Sequence, residues 1–268
     1  MPIFFASDFH LGVDARTTSR EREREVVRWL DHCVAEGAEA IYLVGDLFEF
    51  WFEWRWAVPR GYVRFLGKVA EITDGGTPVH VFTGNHDLWM EDYLVEEVGV
   101  VLHRSPVVHH LQGRELLIGH GDGLGPGDHK YKRMKKVMDA SWAKWLYARL
   151  HPNLAMRMAH FFSHQSREGQ PSEEEFRGPE GEWLVAYSER KLAQRPSLDY
   201  CIFGHRHLPI DYTLSNGHSR YINLGEWLNY STYLRLDGGQ ARLLRWDPSA
   251  PDRSYRGAAG QEPINRSS

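Results

Sequence analysis

The stretch Ile3-Phe4-Phe5-Ala6-Ser7-Asp8-Phe9-His10 decides how this chain folds, because it joins a short apolar run to two polar side chains. A continuous apolar run of this length is typical of a central strand that is covered on both faces. Residues two apart on an extended segment point the same way, so Asp8 and His10 can reach one metal ion. On these residues alone a plainer interpretation stays open, in which Asp8 caps the next turn and His10 is incidental.

Four further polar clusters repeat this pattern, each directly after an apolar run. They are Gly45-Asp46, Gly84-Asn85-His86-Asp87, Gly119-His120-Gly121-Asp122 and Gly204-His205-Arg206-His207. Carboxylate, amide and imidazole groups without a thiolate suit divalent ions such as manganese, iron, zinc or magnesium. Hydrolysis at phosphorus by such ions needs two of them about 3.5–4 Å apart. We therefore predict a two-metal hydrolase that acts on a phosphate ester or anhydride.

The spacing within the clusters suggests a role for each residue. Asp46 has two carboxylate oxygens and can lie between the two ions. One ion is expected to be held by Asp8, His10 and His207, and the other by Asn85, His120 and His205. His86 is too close in sequence to Asn85 to bind the same ion easily. It is therefore expected to face the substrate, with Asp87 orienting its imidazole ring.

The composition limits the class of protein. The chain has 268 residues, of which 42% are hydrophobic and 25% charged, as in one large α/β domain or a domain with an insertion. A net charge of −4 gives no overall reason to expect a nucleic-acid partner. No apolar run approaches the roughly 20 residues of a membrane span, and the first residues lack a basic leader, so we expect a cytoplasmic protein. Cys33 and Cys201 are expected to be buried thiols rather than disulfide-bonded or catalytic.

The remaining patterns predict alternating helices and strands around the clusters. We expect strands at 3–6, 40–44, 79–82, 107–111, 114–118 and 200–203, C-terminal hairpins within 210–224 and 232–246, and helices at 19–36, 60–73 and 180–194. The first helix is expected to begin at Ser19, to hold the charges of 20–25 in solvent, and to bury Val26, Val27, Leu30 and Val34.

Two segments are candidates for recognising the substrate. Six aromatic residues lie within 47–56, which fits either a core segment or a partly exposed apolar wall for a greasy substrate or a membrane. A helical stretch from Asp128 to about His164 is rich in Met, Trp and basic residues. From Asp128 to Arg167, nine lysine and arginine residues oppose two aspartates, a net charge of +7 that leaves −11 for the rest of the chain. We expect a cap that can also touch anionic lipid, although ordinary core helices with solvated lysines fit the same pattern.

The order of these motifs resembles the calcineurin-like metallophosphoesterase family. The motifs D-x-H, GD, GNHD, GH and GHxH run from Asp8 to His207, about three quarters of the chain, and are highly specific as a set. The resemblance implies a four-layer α/β/β/α sandwich with the metal ions at the carboxyl ends of the strands. It gives the ligand set above position by position and makes His86 the catalytic histidine. We accordingly predict an α/β domain over 1–246 with a helical cap inserted at about 125–180, and a disordered tail over 247–268.

Longer motifs are similar to the UDP-2,3-diacylglucosamine hydrolases. They are Ser7-Asp8-x-His10-Leu11-Gly12, Gly45-Asp46-Leu47-Phe48-Glu49-x-Trp51, His120-Gly121-Asp122-Gly123-Leu124, Asp128-x-x-Tyr131 and Asn223-Leu224-Gly225-Glu226-Trp227. This similarity implies hydrolysis of UDP-2,3-diacylglucosamine to UMP and 2,3-diacylglucosamine 1-phosphate, a step of lipid A biosynthesis. It also implies manganese as the metal and a peripheral position on the cytoplasmic face of the inner membrane. Substrate contacts are expected from Asp122, Asp128, Tyr131, Lys135 and Trp51.

One departure from that similarity keeps other substrates open. The best-known branch of the family has arginine where this chain has His86. The alternatives are another phosphoesterase of the same fold, such as a phosphatase or a nucleotide phosphodiesterase, or a non-catalytic scaffold. A nuclease is not expected, because the basic surface is local and interleaved with apolar residues. No obligate protein partner is indicated.

Overall fold

The computed structural model describes residues 1–125, 129–168, 176, 178–250 and 253–255. Its strands are β1 (Ile3–Ala6), β2 (Ala40–Val44), β3 (Val79–Phe82), β4 (Val101–His103), β5 (Val107–Leu111), β6 (Arg114–Ile118), β7 (Tyr200–Phe203), β8 (Pro209–Thr213), β9 (Arg220–Leu224), β10 (Thr232–Asp237), β11 (Gln240–Arg245) and β12 (Arg253–Ser254). Its helices are α1 (Ser19–Ala35), α2 (Val63–Asp74), α3 (Tyr93–Glu96), α4 (His129–Asp139), α5 (Ser141–Tyr147), α6 (Pro152–Glu168) and α7 (Trp183–Gln194). The predicted strands are confirmed, and β4, β12 and α3 are additional.

Seven strands form the first sheet, in the order β12-β11-β10-β1-β2-β3-β4. The strands β1 to β4 are parallel, with Phe5 opposite Tyr42 and Val44 opposite Phe82, whereas β10 runs antiparallel to β1. Parallel strands place their carboxyl ends at one edge of a sheet, so the segments after β1, β2 and β3 meet there. Those segments carry the first three polar clusters.

Five strands form the second sheet, in the order β5-β6-β7-β9-β8. The strands β6, β7 and β9 are parallel, and Ile202 of β7 lies opposite Ile118 on one side and Ile222 on the other. The strands β5 and β6 form the predicted hairpin. The clusters that contain His120 and His205 follow β6 and β7, so they share the carboxyl edge of this sheet.

The two sheets pack face to face, with helices on both outer sides. The space between them is filled by apolar residues of both sheets, among them Phe5, Tyr42, Ile118 and Ile202. The helices α1 and α2 cover the outer face of the first sheet, where Trp29 and Phe65 enter the core. The helix α7 covers the second sheet through Leu184. This arrangement confirms the predicted four-layer α/β/β/α sandwich.

The helix α1 differs from the prediction at its start and in the face that it buries. Thr18, not Ser19, is the N-cap, because its hydroxyl accepts from the N–H of Glu21 while the Glu21 carboxylate accepts from the N–H of Thr18. Val34 is exposed rather than buried. The buried residues of α1 are Arg22, Glu23, Val26, Trp29, Leu30 and Cys33, so the charges within 20–25 are not all in solvent.

Arg22 is fully buried, although the alternating charges predicted a solvated face. Its guanidinium donates to the carbonyl oxygens of Phe9 (2.7 Å), His10 (2.7 Å) and Val13 (2.6 Å). A buried charged group is stable only when its donors find acceptors, and the backbone just after β1 supplies them here. Arg22 therefore fixes the segment that carries Asp8 and His10.

The predicted long helical stretch is divided into three helices, α4, α5 and α6, which we call the cap. Asp128 lies outside the described residues, as do 169–175 and 177. At least half of the side chain is exposed in Met134, Val137, Trp142, Trp145, Leu146, Leu154 and Phe161. Seven large apolar residues that are at least half exposed within 134–161 are not buried as in ordinary core helices, and such a concentration is a candidate binding surface.

The C-terminal region and the cysteines complete the description. The two residues of β12 pair with β11, where the sequence predicts only disorder, whereas 251–252 and 256–268 lie outside the described residues. Cys33 and Cys201 are buried and form no disulfide in the described part of the chain. Within that part, no helix is both long and apolar enough to cross a bilayer.

Candidate metal centre

The first group of potential ligands surrounds Oδ1 of Asp8. Nε2 of His207 lies 3.2 Å from that oxygen, and Nε2 of His10 lies 3.7 Å from it. The two imidazole nitrogens are 3.1 Å apart, and Nε2 of His10 is 4.0 Å from Oδ2 of Asp46. Side chains that follow β1, β2 and β7 therefore converge on one point between the two sheets.

The second group surrounds Oδ2 of Asp46 and draws on both sheets. Nε2 of His120 lies 3.2 Å from this oxygen and 3.3 Å from Oδ1 of Asn85. His205 joins the group, with its ring centre 5.1 Å from that of His120. Oδ2 of Asp46 belongs to both groups, so this carboxylate can serve two neighbouring ions. The structure thus brings together all the residues that the sequence predicts as ligands.

Glycines stand beside the ligands because the backbone and the ligands approach too closely for a further side chain. A Cβ atom on Gly84 would lie 2.2 Å from Oδ1 of Asp46, and one on Gly204 would lie 2.4 Å from Oδ2 of Asp8. Glycine has no Cβ and allows this approach. The glycines of the GNHD and GHxH motifs are therefore part of the site geometry.

The backbone at most of the ligand positions is strained. The φ angles of Asp8, His10, Asp46, His205 and His207 lie between 46° and 65°, in the left-handed region. Residues with a side chain rarely adopt this conformation, and each instance costs on the order of 1–3 kcal/mol. Such strain persists only where the surrounding structure enforces it. Its concentration here is typical of a functional site.

Hydrogen bonds fix the tautomers of three histidines. Nδ1 of His120 donates to the carbonyl oxygen of Val44 (2.9 Å), and Nδ1 of His86 donates to that of Glu49 (3.0 Å). A carbonyl oxygen only accepts, so Nδ1 carries the hydrogen in both rings and Nε2 is the acceptor of the neutral imidazole. Nδ1 of His10 lies 3.2 Å from a carboxylate oxygen of Glu49, which also only accepts, so Nδ1 carries the hydrogen in this ring as well. His10 and His120 therefore present Nε2, as a ligand nitrogen, to the two groups.

The charges of the centre shift the pKa values of its members. Burial opposes ionisation of Asp46, but the neighbouring histidines hold its pKa well below the usual range. Burial likewise disfavours the charged form of His10, yet hydrogen bonds to two carboxylates raise its pKa to about 9. Burial, together with a nearby imidazole, lowers the pKa of His205 to about 4. The buried carboxylates thus remain ionised and attract positive charge.

The donor set fits divalent metal ions. Among the described residues, Asp8 Oδ1 is buried without a hydrogen bond. A buried carboxylate oxygen normally has a partner, and a cation at this point would supply one. Oxygen and imidazole donors without a thiolate suit borderline and hard divalent ions.

His86 lies at the rim of the centre, with its side chain 16% exposed. Its backbone N–H donates to Oδ1 of Asp46 (2.9 Å), which fixes the residue beside the carboxylate shared by both groups. Burial lowers the pKa of His86. Asp87, predicted to orient the imidazole, instead accepts from the N–H groups of Gly84 (2.7 Å) and Leu47 (2.7 Å). That prediction is wrong, because Asp87 holds two ligand-bearing turns together and the carbonyl of Glu49 orients the ring.

Three further residues that support the ligands were not predicted. Glu49 contacts the imidazoles, Asn223 donates to the carbonyl oxygen of Gly204 (2.5 Å), and the N–H of Trp227 donates to that of Asp8 (3.1 Å). All three lie in the two motifs that are similar to the UDP-2,3-diacylglucosamine hydrolases, at 45–51 and 223–227, and no pattern of residues in these motifs predicted their roles. Glu49 is the single carboxylate among the aromatic residues of 47–52, and this position in the sequence was the one feature that could have pointed to its role.

The predicted substrate contacts Asp122 and Lys135 form an ion pair of 2.6 Å, which joins the loop after β6 to the cap. Beside this pair is a cavity of about 500 Å³ lined by Asp122, Gly123, Lys132, Arg133, Lys135, Lys136 and Asp139. Four cations in one cavity wall suit an anionic ligand. Asp128 and the side chain of Tyr131 lie outside the described residues, so their predicted contacts stay predictions.

The aromatic run of 47–56 mainly anchors the cap. Trp51 is fully buried, so the predicted contact of this residue with substrate is wrong. Phe52 and Trp89 pack against Tyr147 of α5, and Nε1 of Trp89 donates to the carbonyl oxygen of Met138 (2.9 Å). The interpretation as a core segment therefore fits most of this run, whereas Trp56 near its end is 87% exposed.

Known proteins are similar to this chain over most of its length. The family model described as calcineurin-like phosphoesterase matches residues 1–209. UDP-2,3-diacylglucosamine hydrolase from Porphyromonas gingivalis is 36% identical over 254 residues, which cover 88% of this chain and 94% of that protein. A protein of the same name from Aeromonas hydrophila is 28% identical over 91% of this chain and 98% of that protein. Among solved structures, the chain is similar to Yfce, a phosphoesterase from E. coli, with 16% identity and a TM-score of 0.47. The alignment covers 94% of this chain and 96% of the Yfce chain.

Proposed function

Because the chain belongs to the calcineurin-like phosphoesterase family, we propose that it hydrolyses the pyrophosphate bond of UDP-2,3-diacylglucosamine, releasing UMP and 2,3-diacylglucosamine 1-phosphate. Membership makes the chain a metal-dependent hydrolase of phosphoric esters or anhydrides. The observation that carries the proposal is the convergence of oxygen and imidazole donors in two groups that share Asp46. The substrate is supported by the 36% identity to the P. gingivalis hydrolase. The reaction would be a step of lipid A biosynthesis.

The donors divide between two divalent ions, which we take to be manganese. Asp46 is shared, and the other ligands are Asp8, His10 and His207 for one ion and Asn85, His120 and His205 for the other. When bound, the ions polarise phosphate oxygens and lower the pKa of an attacking water molecule. The chain contributes by fixing the ligands: strained turns and hydrogen-bonded imidazoles hold the donors in place before substrate arrives.

His86 is the proposed catalytic residue. Because its Nδ1 donates to the carbonyl oxygen of Glu49, Nε2 is the nitrogen that can hold a proton at a phosphate oxygen. Burial lowers the pKa of His86, so the ring is neutral at pH 7 without substrate. The negative charge of a bound diphosphate favours protonation of Nε2. The proton is then positioned for the oxygen on which charge develops as the leaving group departs.

The basic cavity and the cap suit the two halves of this substrate. Lys132, Arg133 and Lys136 line the cavity next to the ligand loop and would attract the diphosphate. The exposed apolar side chains of the cap, such as Trp145 and Phe161, would meet the acyl chains and the lipid surface that carries them. A basic surface with exposed aromatic residues is typical of binding to anionic membranes. We therefore place the protein peripherally on the cytoplasmic face of the inner membrane.

Product analysis by 31P NMR tests the proposed reaction. Purified protein with Mn2+ is expected to convert UDP-2,3-diacylglucosamine into equal amounts of UMP and 2,3-diacylglucosamine 1-phosphate, and a chelator should stop the reaction. Rapid cleavage of bis-p-nitrophenyl phosphate without release of UMP would instead support another phosphoesterase. His86, in place of the arginine of the best-known branch, is the feature that favours this second candidate.

A further inference from the structure

Three histidines away from the metal centre meet between the two sheets. They are His80 of β3, His103 of β4 and His109 of β5, which we call the histidine cluster. We infer that this cluster is an acid-sensitive contact between the two sheets, which holds them together while the imidazoles are neutral and loosens when they take up protons. None of the three histidines belongs to the groups of potential metal ligands.

The strand registers explain why the three side chains meet. Residues opposite each other on neighbouring strands lie on the same face of a sheet. His80 lies opposite Tyr42, which belongs to the apolar layer between the two sheets. The residues opposite His103 and His109 belong to the same layer. Both sheets therefore direct imidazoles into this layer, at the side where β4 and β5 are the end strands.

The rings of the histidine cluster contact one another. Nδ1 of His80 lies 3.0 Å from Nε2 of His103, and the ring centre of His109 lies 5.6 Å and 5.4 Å from the centres of these two rings. A hydrogen bond between two imidazole nitrogens needs one nitrogen that carries a hydrogen and one that does not. Nε2 of His109 is buried and has no hydrogen bond to any described residue. These contacts suit neutral rings, because full protonation removes every acceptor nitrogen.

No negative charge compensates protons on the histidine cluster. Burial and the neighbouring imidazoles lower the pKa of His80 to about 4, and burial also lowers the pKa values of His103 and His109. In the described part of the chain, no carboxylate acts on the pKa of any of the three rings. Tyr42 stacks on His80, but burial, together with the charge of Glu39, raises the pKa of Tyr42 to about 12, so this group stays neutral.

The lowered pKa values set the direction of the pH dependence. In the unfolded chain the histidines take up protons as the pH falls below about 6.5, whereas His80 in the folded chain resists protonation down to about pH 4. The stability contributed by the neutral cluster is therefore fully present above about pH 6.5. It is lost progressively as the pH falls from about 6.5 towards 4.

The histidine cluster adjoins turns that carry proposed ligands of the second group. The N–H of Thr83, directly before the GNHD motif, donates to the carbonyl oxygen of His103 (3.0 Å). The segment between β4 and β5 contains Pro106, and a Cβ atom on Gly119 would lie 2.8 Å from its Cγ. His120 directly follows this glycine. A change in the position of β4 or β5 can therefore reach the second ligand group.

A further metal site is the competing interpretation of the histidine cluster, because imidazoles are common ligands of zinc. Among the described residues, the groups whose donor atoms all lie within 4.8 Å of one another consist of residues at the metal centre. The histidine cluster is not one of these groups, so its rings would have to move to bind one ion. The contact between the sheets needs no such movement.

Two substitutions in the histidine cluster and one matched control test the inference. His80→Phe and His109→Phe each replace an imidazole by a ring that has no charge at any pH. His110→Phe is the control, because it makes the same change next to His109 at a side chain that is 68% exposed. The unfolding equilibrium constant of the manganese-loaded proteins is measured by urea titration from pH 7.5 to 5.0. Hydrogen exchange is followed at both pH values, and zinc stoichiometry is measured by calorimetry at pH 7.5.

The unfolding equilibrium constant of the wild type should rise between pH 7.5 and 5.0 by about 10-fold to 30-fold more than that of His80→Phe, which has lost one proton uptake on unfolding. His109→Phe should also flatten the pH dependence, and His110→Phe should keep that of the wild type. The amides of β4 and β5 should lose protection at pH 5.0 in the wild type and keep more of it in His80→Phe.

Two results would overturn the inference. A loss of stability in His80→Phe and His109→Phe that is the same at every pH would show that the rings only fill space between the sheets. One more zinc ion in the wild type than in His80→Phe would make the histidine cluster a metal site. Either result would leave the proposed reaction as it stands, because that reaction is tested by its products.

Discussion

The metal centre and the cap differ in burial and in how their side chains are held. Asp8, His10 and Asp46 are at most 1% exposed, whereas Trp142 and Trp145 of the cap are 63% and 59% exposed. Fixed ligands suit bond cleavage, because a misplacement of about 1 Å can cost about 100-fold in rate. An exposed apolar surface suits the binding of flexible acyl chains or of lipid. The comparison is consistent with the proposal that the chemistry and the choice of substrate reside in separate parts of the chain.

The largest expected effect is that of Asp46→Asn in the metal centre. The negative charge and one carboxylate oxygen are lost, so kcat should fall by about 1,000-fold or more and metal content should drop, because both ions depend on this residue. Metal content is measured by mass spectrometry, and turnover with bis-p-nitrophenyl phosphate. Asp139→Asn in the cap is the control and should keep both. Full metal content with full activity in Asp46→Asn would contradict the shared-ligand role.

His86→Ala separates catalysis from metal binding within the centre. Loss of a general acid typically lowers kcat by about 100-fold to 10,000-fold, and we expect a value in this range with two metal ions still bound. His110→Ala, at a side chain that is 68% exposed on β5, is the control and should have wild-type kinetics. If His86→Ala loses a metal ion, His86 is a ligand and the proposed role is wrong.

Protons released on metal binding test the electrostatics of the centre. Hydrogen bonds to two carboxylates raise the pKa of His10 to about 9, so this ring is protonated at pH 7.5 in the metal-free chain, and the carboxylate of Asp46 raises the pKa of His120 well above its usual value. Ligand nitrogens must be deprotonated, so metal binding should release one to two protons and strengthen as the pH rises towards about 9. Titration calorimetry in buffers of different ionisation enthalpy measures this. Binding without proton release would show that the rings are already neutral.

The smallest expected effect comes from one exposed valine of the cap. Val137 is 51% exposed in α4, and Val34 is 47% exposed in α1, which covers the outer face of the first sheet, so Val34→Ser is a matched control for Val137→Ser. Partial burial of a valine in lipid is worth about 1 kcal/mol, so Val137→Ser should weaken flotation with anionic vesicles about 5-fold. Val34→Ser should not change flotation. Equal effects would remove the cap from the membrane-binding surface.

The metal centre could be predicted from the sequence because its signals are local. Each ligand type follows an apolar run, and parallel strands bring the ends of such runs to one edge. Residues that act across the fold could not be predicted in the same way. Arg22 looked like part of a solvated charge pattern, because its acceptors are carbonyl oxygens that only the folded loop after β1 supplies. Glu49 was hidden for the same reason, since its partners come from two other segments.

The cap was predicted less completely, because an amphipathic pattern does not say what covers its apolar face. The same pattern would fit core helices. Trp51 was predicted to contact substrate but is fully buried, which shows that an aromatic residue in such a pattern can belong to the core. Met138 lies against the aromatic core, whereas Met134, one turn earlier in α4, is 51% exposed. Which apolar residues of a helix are buried depends on the neighbouring segment, and this information is absent from the helix itself.

The most direct test of the division between chemistry and substrate choice is a ratio of two rates. The ratio is kcat/KM for UDP-2,3-diacylglucosamine over kcat/KM for bis-p-nitrophenyl phosphate, measured in the double variant Arg133→Gln, Lys136→Gln. Arg24→Gln, Arg28→Gln, at exposed cations of α1, is the matched control. Loss of two exposed charges at about 1 kcal/mol each should lower the ratio about 30-fold in the cap variant, with the small ester cleaved as in the wild type. An unchanged ratio, or an equal loss on both substrates, would contradict the account.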